Sequence, residues 1–219
     1  MEFSWFGELV VAHLIPGVIV IKEDEYLAVS LKTQFFGNLV DFDCYIHDLL
    51  LILDKTESID LGGQSDGLVY DCFPDVTRKS HIVTVLIVLE REFSTFCHDL
   101  KLATNQSLKW NDLKGSAIER FTKYCTLVCG IEAVIKPEYL QDVKGLIELR
   151  NCIVHNDSNL DGFSKSHTIK QLASRYEGIG IEGDYVSLSH DACVKLTVVA
   201  FKFLDGWYKA VLSHLEASH

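Results

Sequence analysis

One stretch of the sequence contains the residue types that catalytic sites use. Leu149–Asp157 is strongly apolar, but it includes Arg150, Asn151 and His155. A histidine exchanges protons near neutral pH, and the planar guanidinium of an arginine matches the geometry of phosphate oxygens. These three residues are therefore the first candidates for a catalytic site.

A helix through this stretch does not place the three candidates on one face. Successive side chains of a helix are rotated by about 100°, so Leu146, Leu149 and Ile153 form one stripe, which is predicted to be buried. Asn151 and His155 are four residues apart on the opposite, polar face, whereas Arg150 is at the margin of the stripe. Arg150 and His155 are thus about 140° apart around the helix. A compact site needs a second element, a bend, or a second copy of the helix.

An ordinary structural explanation exists for the same residues. Arg150 can extend along apolar surface to reach solvent, and Asn151 can hydrogen-bond locally. His155 can end a helix favourably against its dipole. For the short pattern taken alone this explanation is the simpler one, and the surrounding sequence favours the catalytic one.

The surrounding sequence resembles the HEPN domains (higher eukaryotes and prokaryotes nucleotide-binding). The hallmark of that family is an arginine, commonly followed by Asn, and then a histidine after four to six intervening residues, late in a helical bundle. The present motif has four intervening residues. Further similarity covers about residues 76–215. It comprises a long helix around Leu89–Phe93, the next helix at Trp110–Arg120, the motif helix Leu149–Asn156, and the entry to the last helix at Tyr185–Cys193.

The resemblance implies a metal-independent endoribonuclease with no cofactor. In such a site the RNA 2′-hydroxyl attacks the adjacent phosphorus and leaves a 2′,3′-cyclic phosphate and a 5′-hydroxyl. His155 would be the general base or acid, Arg150 would stabilise the charge on the phosphate oxygens, and Asn151 would orient His155 or donate to the phosphate. Asn156 and Asp157 are candidates for supporting roles. Family members usually act as homodimers with two such helices facing a cleft, which implies a composite site.

The resemblance also implies a toxin or an anti-phage defence effector, with an antitoxin or defence-system partner. One subgroup, paired with nucleotidyltransferase antitoxins, has a tyrosine two residues after the histidine, and this chain has Asp157 there. Inactivation through that tyrosine is therefore not expected here.

A basic series precedes the candidate site in the sequence. It comprises Lys101, Lys109, Lys114, Arg120 and Lys123, of which the last four are candidate RNA contacts. The alternative is an ordinary solvated helix face.

Other functions are compatible with parts of the sequence. A HEPN-type protein without catalytic activity would serve as an interaction or nucleotide-sensing module. A metal phosphohydrolase is suggested by three His-Asp dipeptides, although they only slightly exceed chance: His47-Asp48, His98-Asp99 and His190-Asp191. Cys125 and Cys129 are four residues apart, but no suitably spaced metal-binding partner follows, so we expect core thiols.

Hydrophobic periodicity predicts that helices carry these residues, which makes the fold class all-α. The resemblance implies that the helices form a HEPN-like bundle. A loop or small hairpin at Glu177–Leu188 is expected before the last helix. The predicted helices are Glu23–Lys55, Pro74 to about Leu102, Asn111 or Asp112 to about Cys129 with Gly130 as the stop, Pro137 through Ile153, Ser164–Tyr176, and Ser189 to about Leu215.

Charge divides the chain unevenly. The net charge is −11, and residues 1–75 contain 3 basic and 14 acidic side chains, so this part alone carries −11. Any nucleic acid is therefore expected to bind downstream. We divide the chain into an acidic helical segment at 1–75, with a turn-rich stretch at Ser58–Asp71, and a HEPN-like domain at 76–219.

Cysteine content and hydropathy indicate the compartment. Seven cysteines, an odd number without a CxxC pair, favour a reduced, cytoplasmic protein. The longest apolar runs, Leu9–Ile21 and Ile82–Leu89, are shorter than the roughly 20 residues that span a bilayer. No membrane association is expected.

Overall fold

The computed structural model describes residues 23–58, 67–133 and 135–217, and within these ranges the chain folds into six α-helices and one β-hairpin. The helices are α1 Glu23–Glu57, α2 Gly67–Ala103, α3 Ala117–Lys123, α4 Pro137–Asn156, α5 Ser166–Arg175 and α6 His190–Ala217. Strands β1 (Ile179–Glu182) and β2 (Tyr185–Leu188) pair antiparallel, with Ile179 opposite Leu188. The predicted all-α class is confirmed, and a hairpin does precede the last helix.

Aromatic side chains from four helices join in one core. Phe35 of α1, Phe93 and Phe96 of α2, Phe121 of α3 and Tyr208 of α6 are all fully buried. The rings of Phe93 and Phe121 stack at 4.3 Å between centroids, and the ring of Phe96 meets that of Tyr208 edge-on at 4.9 Å. Such pairs stabilise a core beyond the area they bury.

The apolar stripes of α1 and α6 face this core. In α6 the apolar residues at a spacing of three or four are buried: Leu196, Val199, Phe203, Trp207 and Val211. In α1 the buried residues also recur at helical spacing, at Phe35, Phe42, Ile46 and Leu53. The apolar run of α2 is mostly buried, because α2 packs against α1, α3, α4 and α6. Its exception is Ile87, whose side chain is 60% exposed.

Two predicted helix starts are wrong. Pro74 lies inside α2, which begins at Gly67, so residues 67–71 of the predicted turn-rich stretch are helical and residues 59–66 lie outside the described chain. Asn111 and Asp112 belong to a 3₁₀ turn, where the Asp112 carboxylate accepts from the backbone N–H of Lys109 at 3.0 Å.

The true start of α3 is a capping box. The backbone N–H of Ser116 donates to the Glu119 carboxylate at 3.0 Å, and this hydrogen bond lowers the pKa of Glu119. A π-helical turn, Tyr124–Val128, follows α3. Gly130 ends the turn in a left-handed conformation, as predicted, with φ of +68°.

The predicted boundary between residues 75 and 76 falls inside α2. The described part of the acidic segment also shares the core of the remaining chain, because α1 packs against α2 and α6. At its end, Glu57 accepts hydrogen bonds from Arg78 at 2.7 and 2.6 Å. Residues 1–22 lie outside the described ranges. None of the described helices combines the length and the apolar character that crossing a bilayer requires.

A buried histidine joins α2 to α6. His81 hydrogen-bonds through Nε2 to the Thr197 hydroxyl at 2.9 Å, and that hydroxyl donates to the Cys193 carbonyl at 2.8 Å. Because the Thr197 hydroxyl proton is used in that bond, its oxygen accepts a hydrogen bond from the Nε2–H of His81. The His81 ring is therefore the neutral tautomer that carries its proton on Nε2. Burial, with a smaller contribution from His190, lowers the pKa of His81 to about 4.

This histidine predicts acid sensitivity of the fold. Between pH 6.5 and 4 the unfolded chain binds a proton at His81 that the native protein does not, so the free energy of unfolding falls as the pH falls, by up to about 1.4 kcal/mol per pH unit. Denaturant unfolding of His81→Gln at several pH values should show a flatter dependence than wild type. His98→Gln, an exposed histidine of α2, should keep the wild-type slope. Equal slopes for wild type and His81→Gln would refute the assignment.

Candidate functional site

The helix that carries the motif, α4, is held between α2, α5 and α6. It begins at Pro137, as predicted. The predicted stripe is fully buried at Leu146 and Leu149 but only half-buried at Ile153, and Cys152 is fully buried instead. The buried side of α4 has therefore turned toward Cys152 at the end that carries the motif.

A buried carboxylate joins α4 to α5. Asp142 accepts a hydrogen bond from the Tyr176 hydroxyl at 2.6 Å and pairs with Arg175. One turn later Gly145 lets α5 approach closely, since a Cβ at this position would be 3.1 Å from Leu172 Cδ1. These contacts fix the rotation of α4 about its own axis.

Arg150 is engaged at the seam between α4 and α2. Its Nη2 donates to Glu90 Oε1, and the two side chains are only 20% and 35% exposed. Its Nε is buried without a hydrogen-bond partner. The sequence pattern indicates no role for Glu90, because it lies 60 positions before Arg150 and nothing local identifies Arg150 as its partner. Its position at the edge of the buried run of α2 is the signal that was available.

His155 lies in solvent, and Asn151 is half-buried on the same outer face of α4. Neither side chain has a hydrogen-bond partner in the described part of the chain. Arg150, by contrast, is directed to the contact with α2. The structure thus places the three motif residues on one helix, but within one chain it does not bring Arg150 and His155 together.

Asn156 and Asp157, predicted to support the site, shape the turn that follows it. The Asn156 amide donates to the carbonyl oxygens of Asn159 and Asp161. Asp157 ends α4 in the left-handed region with φ of +47°, and the next residue, Ser158, has φ of +63°. The Ser158 N–H donates to the Cys152 carbonyl at 3.0 Å, which closes the helix end.

The β-hairpin holds this turn in place. The Val186 N–H donates to the Ser158 carbonyl at 2.9 Å, and the Leu160 N–H donates to the Asp184 carbonyl at 2.7 Å. The turn therefore extends the hairpin as a third, short extended segment. His155, three residues before Ser158, leads directly into an anchored backbone.

The four basic candidates have different surroundings. Lys109, Lys114 and Lys123 are exposed, and the Lys123 ammonium donates to the Lys114 carbonyl at 3.2 Å. Arg120 covers the ring of Trp110, with 4.9 Å between Cζ and the ring centroid, so its guanidinium packs locally. The hydrogen bonds from Ser116 are the main cause of the lowered pKa of Glu119, and the charges of Lys123 and of Lys144 in α4 contribute to it.

The His-Asp dipeptides do not converge. In the described residues no group of three or more His, Cys, Asp or Glu side chains is arranged to hold a metal ion. His190 contacts Asp54 at 2.7 Å, Asp99 accepts from Asn38 at 2.7 Å, and His47 is exposed. The second and third dipeptides therefore take part in separate contacts, and neither contact includes the first.

The thiols of Cys125 and Cys129 are buried. Burial raises the pKa of both thiols, which disfavours the thiolate that binds metals. They are core residues, as the sequence predicted.

The chain matches no family model, no curated protein and no solved structure. Assignment of a function therefore depends on the residues and their arrangement.

The left-handed Asp157 gives a test of its role at the helix end. Asp157→Gly should raise the free energy of unfolding by about 0.5–1 kcal/mol, because glycine has no Cβ to strain at positive φ. Asp157→Ala should lower it, because alanine is strained there and lacks a polar side chain. Thermal and denaturant unfolding of the two variants measure this difference. Equal stability of the glycine and alanine variants would contradict a capping role.

Proposed function

We propose that the chain is a HEPN-like, metal-independent endoribonuclease that acts as a homodimer. The observation that carries the proposal is the end of α4, where Arg150 is half-buried and contacts Glu90, while His155 is exposed and has no hydrogen-bond partner among the described residues. An oriented guanidinium and an accessible imidazole are the two groups that RNA cleavage through the 2′-hydroxyl requires.

The proposed reaction is an internal transesterification. His155 removes the proton of the 2′-hydroxyl, the 2′-oxygen forms a bond to phosphorus, and the bond from phosphorus to the 5′-oxygen breaks. The leaving 5′-oxygen receives a proton, so the products are a 2′,3′-cyclic phosphate and a 5′-hydroxyl. Arg150 stabilises the negative charge that grows on the non-bridging oxygens. Asn151, on the same face as His155, donates to the phosphate or orients the imidazole.

A second copy of the chain supplies the geometry that one copy lacks. Arg150 and His155 are about 140° apart around α4, so Arg150 of one protomer would act with His155 of its partner. Two exposed apolar side chains flank the Arg150–Glu90 pair: Ile87, three residues before Glu90, is 60% exposed, and Val154, one turn after Arg150, is 51% exposed. Apolar residues at this position suit a dimer contact better than solvent.

The second candidate function is a HEPN-type module without catalytic activity. One observation favours it: Arg150 already has an anionic partner in Glu90, so its charge is satisfied without a phosphate. Under this proposal His155 is a surface residue and the chain binds a partner or a nucleotide. Substitution of His155 then leaves every activity of the protein unchanged.

The biological role under the first proposal is that of a toxin or an anti-phage defence effector. Uncontrolled cleavage of RNA arrests growth, so expression has to be countered by an antitoxin or held off until infection. Because Asp157 replaces the tyrosine of the nucleotidyltransferase-paired subgroup, an antitoxin would act by binding or at another residue.

Cleavage of RNA in EDTA tests the proposed reaction. Wild type should convert RNA into fragments with 5′-hydroxyl ends that a polynucleotide kinase can label. His155→Ala and Arg150→Ala should each reduce the rate by about 100-fold or more, and Asn151→Ala by about tenfold. His167→Ala, an exposed histidine of α5, is the matched control and should cut at the wild-type rate. Intact RNA with wild type supports the silent module instead, and cutting by His155→Ala at the wild-type rate would rule out the proposed site.

Light scattering after gel filtration tests the dimer. Wild type should have twice the mass of the chain at micromolar concentration. Val154→Glu should produce a monomer that no longer cuts RNA, because a buried unpaired carboxylate opposes association. Leu127→Glu, at a site that is 79% exposed on the π-helical turn, should remain dimeric and active. A monomeric wild type that still cuts RNA would rule out the composite site.

A further inference from the structure

Glu90 is held rigidly where it meets Arg150. Its neighbours on α2, Leu89 and Phe93, are fully buried, so the backbone at Glu90 belongs to the core. The carboxylate is half-buried and contacts Nη2 of Arg150 across the seam between α2 and α4. The partner of Arg150 is therefore attached to a backbone that core packing holds in place.

The contact differs from a second arginine–glutamate pair, which joins α1 to α2. Glu57 accepts from both Nε and Nη2 of Arg78, so that edge of the guanidinium is saturated. Glu90 accepts only from Nη2 of Arg150, and Nε is left buried and unpaired. Nη1 has no hydrogen-bond partner in the described chain, and it is accessible to solvent. Glu90 thus orients Arg150 while leaving donors for another acceptor.

We propose that Glu90 is a positioning residue for the phosphate-binding Arg150. Its carboxylate holds Nη2 so that Nη1 faces the cleft in which the phosphate of the substrate binds. The inference depends on the proposed ribonuclease function for its catalytic consequence, whereas the orientation of Arg150 can be measured without any reaction. Glu90 itself does not touch the substrate.

Two other roles for Glu90 predict different results. A carboxylate that competes with the phosphate for Arg150 would, once removed, lower KM and leave kcat unchanged or higher. A purely structural ion pair would, once removed, lower the melting temperature and leave both kinetic constants of the folded protein unchanged. A positioning residue affects the transition state more than substrate binding, so its loss lowers kcat.

Steady-state cleavage of a fluorogenic RNA separates these roles. Glu90→Ala should lower kcat by about tenfold or more with KM changed less than about threefold. Glu90→Gln keeps an acceptor oxygen for Nη2 and should stay within about threefold of wild type. Glu57→Ala removes the pair with Arg78 and is the matched control, which should keep wild-type kcat. A lower KM in both Glu90 variants, or unchanged constants in Glu90→Ala, overturns the proposal.

The arginine side-chain spectrum provides a test that does not depend on cleavage. The chain has five arginines, and Arg150→Lys identifies the Nε–H resonance of Arg150 in a nitrogen–proton correlation spectrum. In Glu90→Ala this resonance should shift and its exchange with water should accelerate, whereas in Glu90→Gln and Glu57→Ala it should stay in place. An unchanged resonance in Glu90→Ala overturns the positioning role. If wild type does not cut RNA, the proposed function fails, and this spectrum alone decides whether Glu90 orients Arg150.

Discussion

The burial of one side of α4 is the constraint on which the candidate site depends. From Val143 to Cys152 the helix presents buried residues to α2, α5 and α6, and the Asp142 contacts with α5 prevent it from rotating. Once that side is fixed, the 3.6-residue period leaves Arg150 at the margin and His155 outside. Every chemical property of the motif follows from this placement, including the access of Glu90 to Arg150 and the exposure of the imidazole.

The central position of α2 gives the site its rigidity and ties the acidic segment to it. On one side of α2, Glu90 contacts Arg150 of the motif, and another side of α2 packs against α1. The described part of the acidic segment is therefore structural. Two acidic side chains at the end of α1 form contacts within the fold: Asp54 contacts His190, and Glu57 contacts Arg78.

Several parts of the site were predictable and others were not, for different reasons. The α4 start at Pro137 and the end of the turn at Gly130 follow from local backbone rules, which operate within a few residues. Ser116 rather than Asn111 caps α3 because Asp112 is engaged in its own turn with Lys109. Pro74 was placed at a helix start because prolines are common there, yet α2 extends seven residues before it. When several residues near one another could each begin a helix, local sequence rules cannot show which of them does so, because the packing of the helix decides.

The class of the fold, the helix that carries the motif, and the angular separation of Arg150 and His155 are all predictable from the amino-acid sequence. These properties depend on helical periodicity, which is intrinsic to the chain. Three other features depend on tertiary packing: Glu90 binds Arg150, Cys152 replaces Ile153 in the buried stripe, and the hairpin anchors the turn after His155. Each of these joins residues far apart in sequence or depends on how one helix is rotated against its neighbours. The helical repeat determines which side chains share a face of a helix. Which neighbouring element contacts that face depends on the packing of the whole core.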